Sequence, residues 1–212
     1  KYLSVSAEEL TEGGRFDTPF LFREYQQGET IVAVTERGGL LYGLSRLREV
    51  SESKLSVDET LTMGREGLAE LGYESMEPVS WMASENTLSA VYVLRQNGVL
   101  VYSDRISVTL AMDNGEIMTV NALEYLLAHN PRRDASYALS KDAAAAVLRE
   151  DLTVETADLV CVPGGDGSER ICWQFTVHDD TETRVMVFVN ARTKVEEEIL
   201  ILLEGDDFRK AI

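Results

Sequence analysis

The sequence predicts an α+β fold of tandem units, each a helix packed on an antiparallel β-sheet. Alternating apolar runs separated by turn residues predict the strands, and the strongest hairpin signal is Asp113-Asn114-Gly115. Three similar turns follow Val34, Met112 and Val189, which lie 78 and 77 positions apart. A period of this size is typical of a repeated small domain, because solenoid units are shorter. An antiparallel sheet buries at least one face, and a helix in each unit would cover it.

The first unit is predicted at residues 1–50 and contains three candidate strands. Turn residues separate them, and they lie at Phe16–Tyr25, Thr30–Thr35 and Leu40–Leu47. No helical pattern precedes these strands. We therefore expect the helix of this unit to be truncated, with Lys1-Tyr2-Leu3 as its tail.

The second unit is predicted at residues 51–130 and begins with a capped helix. Ser56 and Glu59 have the spacing of a capping box, so the helix should start at Val57. Gly72 is well placed to end this helix in a left-handed conformation. Four strands and a short helix should follow, at Tyr73–Met82, Thr87–Arg95, Val99–Met112, Glu116–Asn121 and Leu123–His129.

The hairpin of this unit can be read in two registers. A two-residue loop would set Met112 opposite Ile117 and would mix apolar and polar side chains on one face. A three-residue loop with Gly115 in a left-handed conformation sets Met112 opposite Glu116. We predict the second register, because it separates two faces. The buried face is then Val108, Leu110, Met112, Met118, Val120 and Ala122, and the solvent face is Ser107, Thr109, Thr119 and Asn121.

The third unit is predicted at residues 138–205, after a boundary at Asn130–Tyr137 where a proline and paired arginines interrupt both periodicities. Ser140 should begin an alanine-rich helix that runs to about Arg149. Four strands should follow, at Glu155–Val162, Glu169–His178, Thr183–Val189 and Val195–Leu203. In the second of these strands we predict a core face of Trp173, Phe175 and Val177 and an outer face of Cys172, Gln174 and Thr176.

The composition restricts the partners of the chain. The net charge is −17, so nucleic acid and anionic membrane surfaces should be repelled and a basic partner is favoured. The longest apolar run near the C-terminus, Ile199–Leu203, is far shorter than the roughly 20 residues that cross a bilayer. We expect any membrane anchor to lie upstream of Lys1, outside this sequence.

The sequence holds no motif that predicts a catalytic, cofactor or metal site. His129 and His178 lack neighbouring ligands at metal-binding spacing. Cys161 and Cys172 flank a glycine-rich turn and would face each other in a symmetric hairpin, which makes them a candidate disulfide. The alternative, two reduced thiols in a strand pair, is the favoured interpretation.

Six segments stand in a characteristic order between Val34 and Leu126, within a likeness that extends over nearly the whole chain. They are Val34–Gly39, Ser51–Ser56, Gly72–Pro78, Gln96–Asp104, Met112–Ile117 and Glu124–Leu126. This set resembles the C-terminal region of the YpeB family of spore germination proteins, which is built of PepSY-type repeats with a cystatin-like appearance. Two features depart from that pattern: Lys194 stands at a turn position that usually carries glycine, and the charged tail at 205–210 does not match the usual ending.

The resemblance implies a non-enzymatic role. Family members stabilise, localise or restrain a partner spore cortex-lytic transglycosylase during sporulation and germination, on the outer side of the spore inner membrane. They also carry an N-terminal membrane anchor and a helical segment, both of which this sequence lacks. Two alternatives stay open: a PepSY-type protease-inhibitory or chaperone-like domain of another cell-envelope protein, and an enzyme that acts on peptidoglycan. The sequence assigns no partner-binding residues and no oligomeric state.

Overall fold

The computed structural model describes residues 9–130, 132, 138–165, 167–180 and 183–212. The expected tail of a truncated helix at residues 1–3 and most of the predicted boundary at 130–137 lie outside the described residues. Strands account for 53% of the structure.

The described residues form thirteen strands and three helices. The strands before the first helix are β1 (Thr11–Phe16), β2 (Phe22–Gln27), β3 (Thr30–Thr35) and β4 (Leu41–Arg46). They are followed by α1 (Val57–Glu70), β5 (Met76–Ser84), β6 (Thr87–Gln96), β7 (Val99–Ala111), β8 (Ile117–Asn121) and α2 (Leu123–Ala128). The remaining elements are α3 (Lys141–Ala145), β9 (Thr153–Pro163), β10 (Glu169–His178), β11 (Arg184–Asn190), β12 (Glu196–Gly205) and β13 (Phe208–Ala211).

All thirteen strands belong to one sheet, part of which closes on itself. The order is β1-β2-β3-β4-β8-β7-β6-β5-β13-β12-β11-β10-β9, and β9 also pairs with β7. This last pairing is parallel and sets Leu100 opposite Val160. At the other junction, β13 pairs with β5 through Phe208 opposite Met82. Eight strands, β5–β7 and β9–β13, therefore form a closed, barrel-like ring.

Strand direction does not alternate all the way around the ring. Seven of its eight neighbouring strand pairs are antiparallel, and the β7–β9 pair is parallel. An odd number of direction reversals cannot close a regular cylinder, so the parallel β7–β9 pair is an irregular junction in the ring.

Three apolar clusters fill the fold. The first lies between α1, α2 and one face of β3–β8, and it includes Leu61, Leu68 and Tyr92. The second lies inside the ring and takes side chains from all eight ring strands, among them Val93 and Phe188. The third lies beneath α3, on the outer face of β10 and β11. At Gly64, α1 lies so close to β6 that an added Cβ would collide with the hydroxyl of Tyr92.

The predicted fold class, tandem PepSY-like repeats that each pack a helix on an antiparallel sheet, is wrong. The structure is mostly strand, its three helices are short, and the strands of the predicted second and third units join in one closed ring. The ring closes through β13 at one junction and through the β7–β9 pair at the other, and β13 lies beyond residue 205, where the predicted third unit ends. The unit boundaries at 1–50, 51–130 and 138–205 stay a prediction.

Several local predictions are confirmed. Ser56 and Glu59 form the capping box of α1, and Gly72 follows it with φ of 95°. The β7–β8 hairpin has the predicted register at Val108 and Val120, and Gly115 is left-handed. A bulge then sets Leu110 opposite Ile117, so Ile117 joins the helix-covered core in place of Met118.

The predicted outer face of β10 is wrong. Cys172, Gln174 and Thr176 are buried, because their side of the strand faces the interior of the closed ring. Phe175 and Val177 are buried on the opposite face, as predicted. Both faces of β10 are therefore covered, one by ring strands and one by α3.

Candidate functional site

The two cysteines are free and buried, and they lie on opposite faces of the sheet. Cys161 is opposite Ile171 and belongs to the helix-covered core, whereas Cys172 is opposite Val160 and belongs to the ring core. Burial raises the pKa of the Cys161 thiol to about 12 and that of Cys172 to about 11. A bond between them would require the two strands to slip by one residue. The candidate disulfide stays a prediction.

His129 takes part in a partly buried cluster of ionisable side chains that we call the Arg132 clasp, made of Asp104, His129, Arg132 and Glu169. The Asp104 carboxylate is 0% exposed and accepts two hydrogen bonds from Arg132, at 2.6 and 2.8 Å. The His129 Nδ1 lies 2.7 Å from the same carboxylate. Arg132 also donates to Glu169 at 2.6 Å, and this bond lowers the pKa of the Glu169 carboxyl.

The Arg132 clasp joins three parts of the fold. Asp104 lies on β7, Arg132 follows α2, and Glu169 begins β10. The β7–β9 junction that closes the ring is short and lies beside these residues. Each acid in the clasp is bonded to the arginine. This arrangement holds strands together and stabilises the ring closure.

His178 lies at the end of β10, with its Nε2 3.9 Å from a carboxylate oxygen of Glu155. Arg184 donates to the same carboxylate at 3.0 Å, so the acid is already bonded. Across the described parts of the chain, no group of three or more His, Cys, Asp and Glu side chains is arranged to hold a metal ion. None of the helices described here combines the length and the apolar character needed to cross a membrane.

A broad face of the sheet is left uncovered on the side opposite α1. We call it the open face. The open face extends from β2 to β13, and its residues lie on the same side of each strand, as the cross-strand pairs show. They are Glu24, Ile31, Ala33, Ser45, Thr119, Asn121, Thr109, Ser107, Val91, Ser89, Ser80, Met82, Phe208 and Lys210. Four of these residues were predicted to face solvent, and they do lie on this face.

The open face holds a groove of about 460 Å³ over β5–β8 and β13. Apolar residues such as Trp81 and Val91 line it together with serine and threonine side chains and Asn121, and Lys210 is its one ionisable lining residue. A smaller hollow of about 270 Å³ lies further along, over β3, β4 and β8. Both share Val120 and Asn121, so the two form one continuous depression.

Five large apolar side chains form a band at one end of the groove. We call it the apolar stripe: Ile199, Ile201, Leu203, Phe208 and Met82. These side chains are 40–60% exposed and lie on one side of three neighbouring strands, β12, β13 and β5. Contiguous exposed apolar surface with a polar rim is typical of protein interaction sites. The unbroken apolar run Ile199–Leu203 places apolar side chains on both faces of β12, and it was the one sequence signal for the stripe.

Comparison with known proteins identifies the family of the chain. The family model for the YpeB sporulation PepSY1 and PepSY2 domains matches residues 13–135, which is more than half of the chain. The chain belongs to the YpeB sporulation family. The predicted resemblance is therefore confirmed.

Curated relatives carry the name sporulation protein YpeB. The protein of Oceanobacillus iheyensis is 26% identical over 193 residues, which cover 90% of this chain and 43% of the relative. The protein of Bacillus subtilis is 25% identical over 181 residues, 84% of this chain and 40% of the relative. The chain thus spans about two fifths of the length of the YpeB relatives that it matches.

The fold also matches a solved YpeB structure. The C-terminal domain of Bacillus megaterium YpeB superposes with a TM-score of 0.80 and 19% sequence identity, over 96% of this chain and 93% of that one. The family match ends at residue 135. It includes Met82, whereas the rest of the apolar stripe lies beyond residue 135.

Proposed function

We propose that the chain is a non-enzymatic interaction module of a YpeB-type sporulation protein. It stabilises, localises or restrains a partner spore cortex-lytic transglycosylase during sporulation and germination. The observation that carries this proposal is the YpeB family match over residues 13–135. The proposed place of action is the outer side of the spore inner membrane, as the resemblance implies.

The surface of the chain supports a role in binding. The open face spans many strands without a covering helix, and its groove is lined mainly by uncharged residues. The net charge of −17 should draw a basic partner and speed its approach. The ionisable groups of the Arg132 clasp are bonded to one another, which suits a structural role better than acid–base catalysis.

A binding experiment with a purified spore cortex-lytic transglycosylase tests the proposal. The immobilised chain should capture the enzyme, and the complex should weaken as ionic strength rises, because salt screens the charge attraction. The enzyme should also survive protease treatment longer in the complex. An unrelated acidic protein of similar net charge is the control.

Two results would contradict the proposal. If no complex formed at any ionic strength, or if the acidic control captured the enzyme equally well, the chain would have no specific affinity for the transglycosylase. Release of soluble fragments from purified cortex by the chain alone would show an enzymatic activity.

A further inference from the structure

We propose that the apolar stripe and the adjoining groove are the docking surface for a partner segment that carries apolar side chains beside lysine or arginine. This inference rests on the proposed function, since it names the surface through which an interaction module would act. Its occupant is a segment of a different protein.

The apolar part of the segment is indicated by the stripe. Phe208 on β13 lies directly opposite Met82 on β5. Ile201 and Leu203 lie on one side of β12, and Leu203 is opposite Lys210 on β13. Each of these four apolar side chains is 40–60% exposed, although α-helices cover comparable apolar rows elsewhere in the sheet. Covering these side chains would remove apolar area from water, which is the main driving force for association.

The basic part of the segment is indicated by the rim. The turn between β12 and β13 holds Asp206 and Asp207 directly beside Phe208. Among the described residues, neither of these two acids forms an ion pair, and the backbone carbonyl of Asp207 accepts a 2.7 Å hydrogen bond from the Ala83 N–H. The turn is therefore fixed in place, and its two carboxylates are available to a basic partner.

Charge also decides between a partner and a second copy of the chain. Each copy carries a net charge of −17, so two copies that meet at this acidic rim would repel each other. A basic segment is attracted by the same field. The groove beyond the stripe has only Lys210 as an ionisable residue, so an uncharged continuation of the segment could lie in it without desolvating further charges.

Three variants separate the docking surface from the rest of the molecule. Ile201→Asp places a charge in the stripe, and Asp206→Lys combined with Asp207→Lys reverses the rim. Leu127→Asp is the matched control, because Leu127 is an apolar residue on α2, away from the open face, and is 60% exposed against 46% for Ile201. Urea unfolding of each variant shows whether it keeps the fold, and Met82→Lys replaces Ile201→Asp if that variant unfolds.

The first probe is the purified transglycosylase. Binding should fall roughly tenfold or more in the stripe and rim variants and stay unchanged in Leu127→Asp. If the chain binds the enzyme and all three variants bind equally well, the docking surface is wrong while the proposed function stands. If the unmodified chain does not bind the enzyme, the proposed function fails, and a second probe decides the docking surface.

The second probe is a phage-displayed library of random peptides selected on the unmodified chain. The selected peptides should combine apolar and basic residues and should lose binding to the stripe and rim variants. Selection of no peptide, or selection of peptides that bind all variants equally, would overturn the inference.

Discussion

The Arg132 clasp offers the most demanding test of the structure. Arg132→Met keeps the aliphatic stem and removes the guanidinium that donates two hydrogen bonds to Asp104. The Asp104 side chain is 0% exposed, so the variant leaves a buried carboxylate with His129 as its remaining partner. Breaking a buried pair by removing one partner costs about 3–5 kcal/mol. Because His129 still bonds the carboxylate, we expect about 3 kcal/mol.

Urea unfolding followed by tryptophan fluorescence measures this free energy of unfolding. The control is Arg105→Met, which removes an ion pair to Glu124 whose two side chains are 53% and 50% exposed. Such a surface pair contributes about 1 kcal/mol or less. Adding Asp104→Asn to Arg132→Met should restore part of the loss, because the unpaired charge is gone. Equal effects of Arg132→Met and Arg105→Met would refute the reasoning.

Three further predictions follow from the structure. A hydrogen bond from Arg15 lowers the pKa of Glu36 to about 2. The ionised Glu36 therefore contributes its full stabilisation of the fold above about pH 4.5, and this contribution disappears as the pH falls through about 2. An NMR titration of the carboxyl group measures this pKa. Cys161 and Cys172 should resist alkylation in the native protein and react only after unfolding, as mass spectrometry measures; a mass two hydrogens lower would instead reveal a bond. Gly64→Ala should destabilise by about 1–3 kcal/mol in urea despite the better helix propensity of alanine, since the Cβ overpacks α1 against β6; a gain in stability would contradict this close contact.

Elements governed by neighbouring residues could be predicted from the sequence. The start of α1 follows from Ser56 and Glu59, which lie three residues apart, and the β7–β8 hairpin follows from the conformational freedom of Gly115. The third helix is shorter than predicted, because alanine propensity favoured a helix to about Arg149 and α3 ends at Ala145.

The ring could not be predicted, because it depends on pairs that are distant in sequence. Phe208 meets Met82, and Val160 meets Leu100 in a parallel pair. Strand patterns show which residues share a face, and they carry no information on which strand lies beside which. For the same reason Gln174 was placed on the outer face, although the ring encloses it, where its side-chain oxygen accepts a hydrogen bond from the Tyr102 hydroxyl.

The candidate site was predicted in one part and missed in another. The alternating serine and threonine residues of β7 and β8 indicated a solvent face, and that face forms the floor of the groove. The apolar stripe could not be predicted, because it forms only where β12, β13 and β5 lie side by side. An exposed Ile201 is indistinguishable in sequence from a buried one.

The position of β13 in the sequence determines when the ring can close during protein synthesis. The strand that joins β12 to β5 comes from residues 208–211. A ribosome must therefore release the segment up to Ala211 before the ring of strands can close. Nascent or prematurely terminated chains would present unpaired strand edges, the kind of surface that chaperones and proteases recognise.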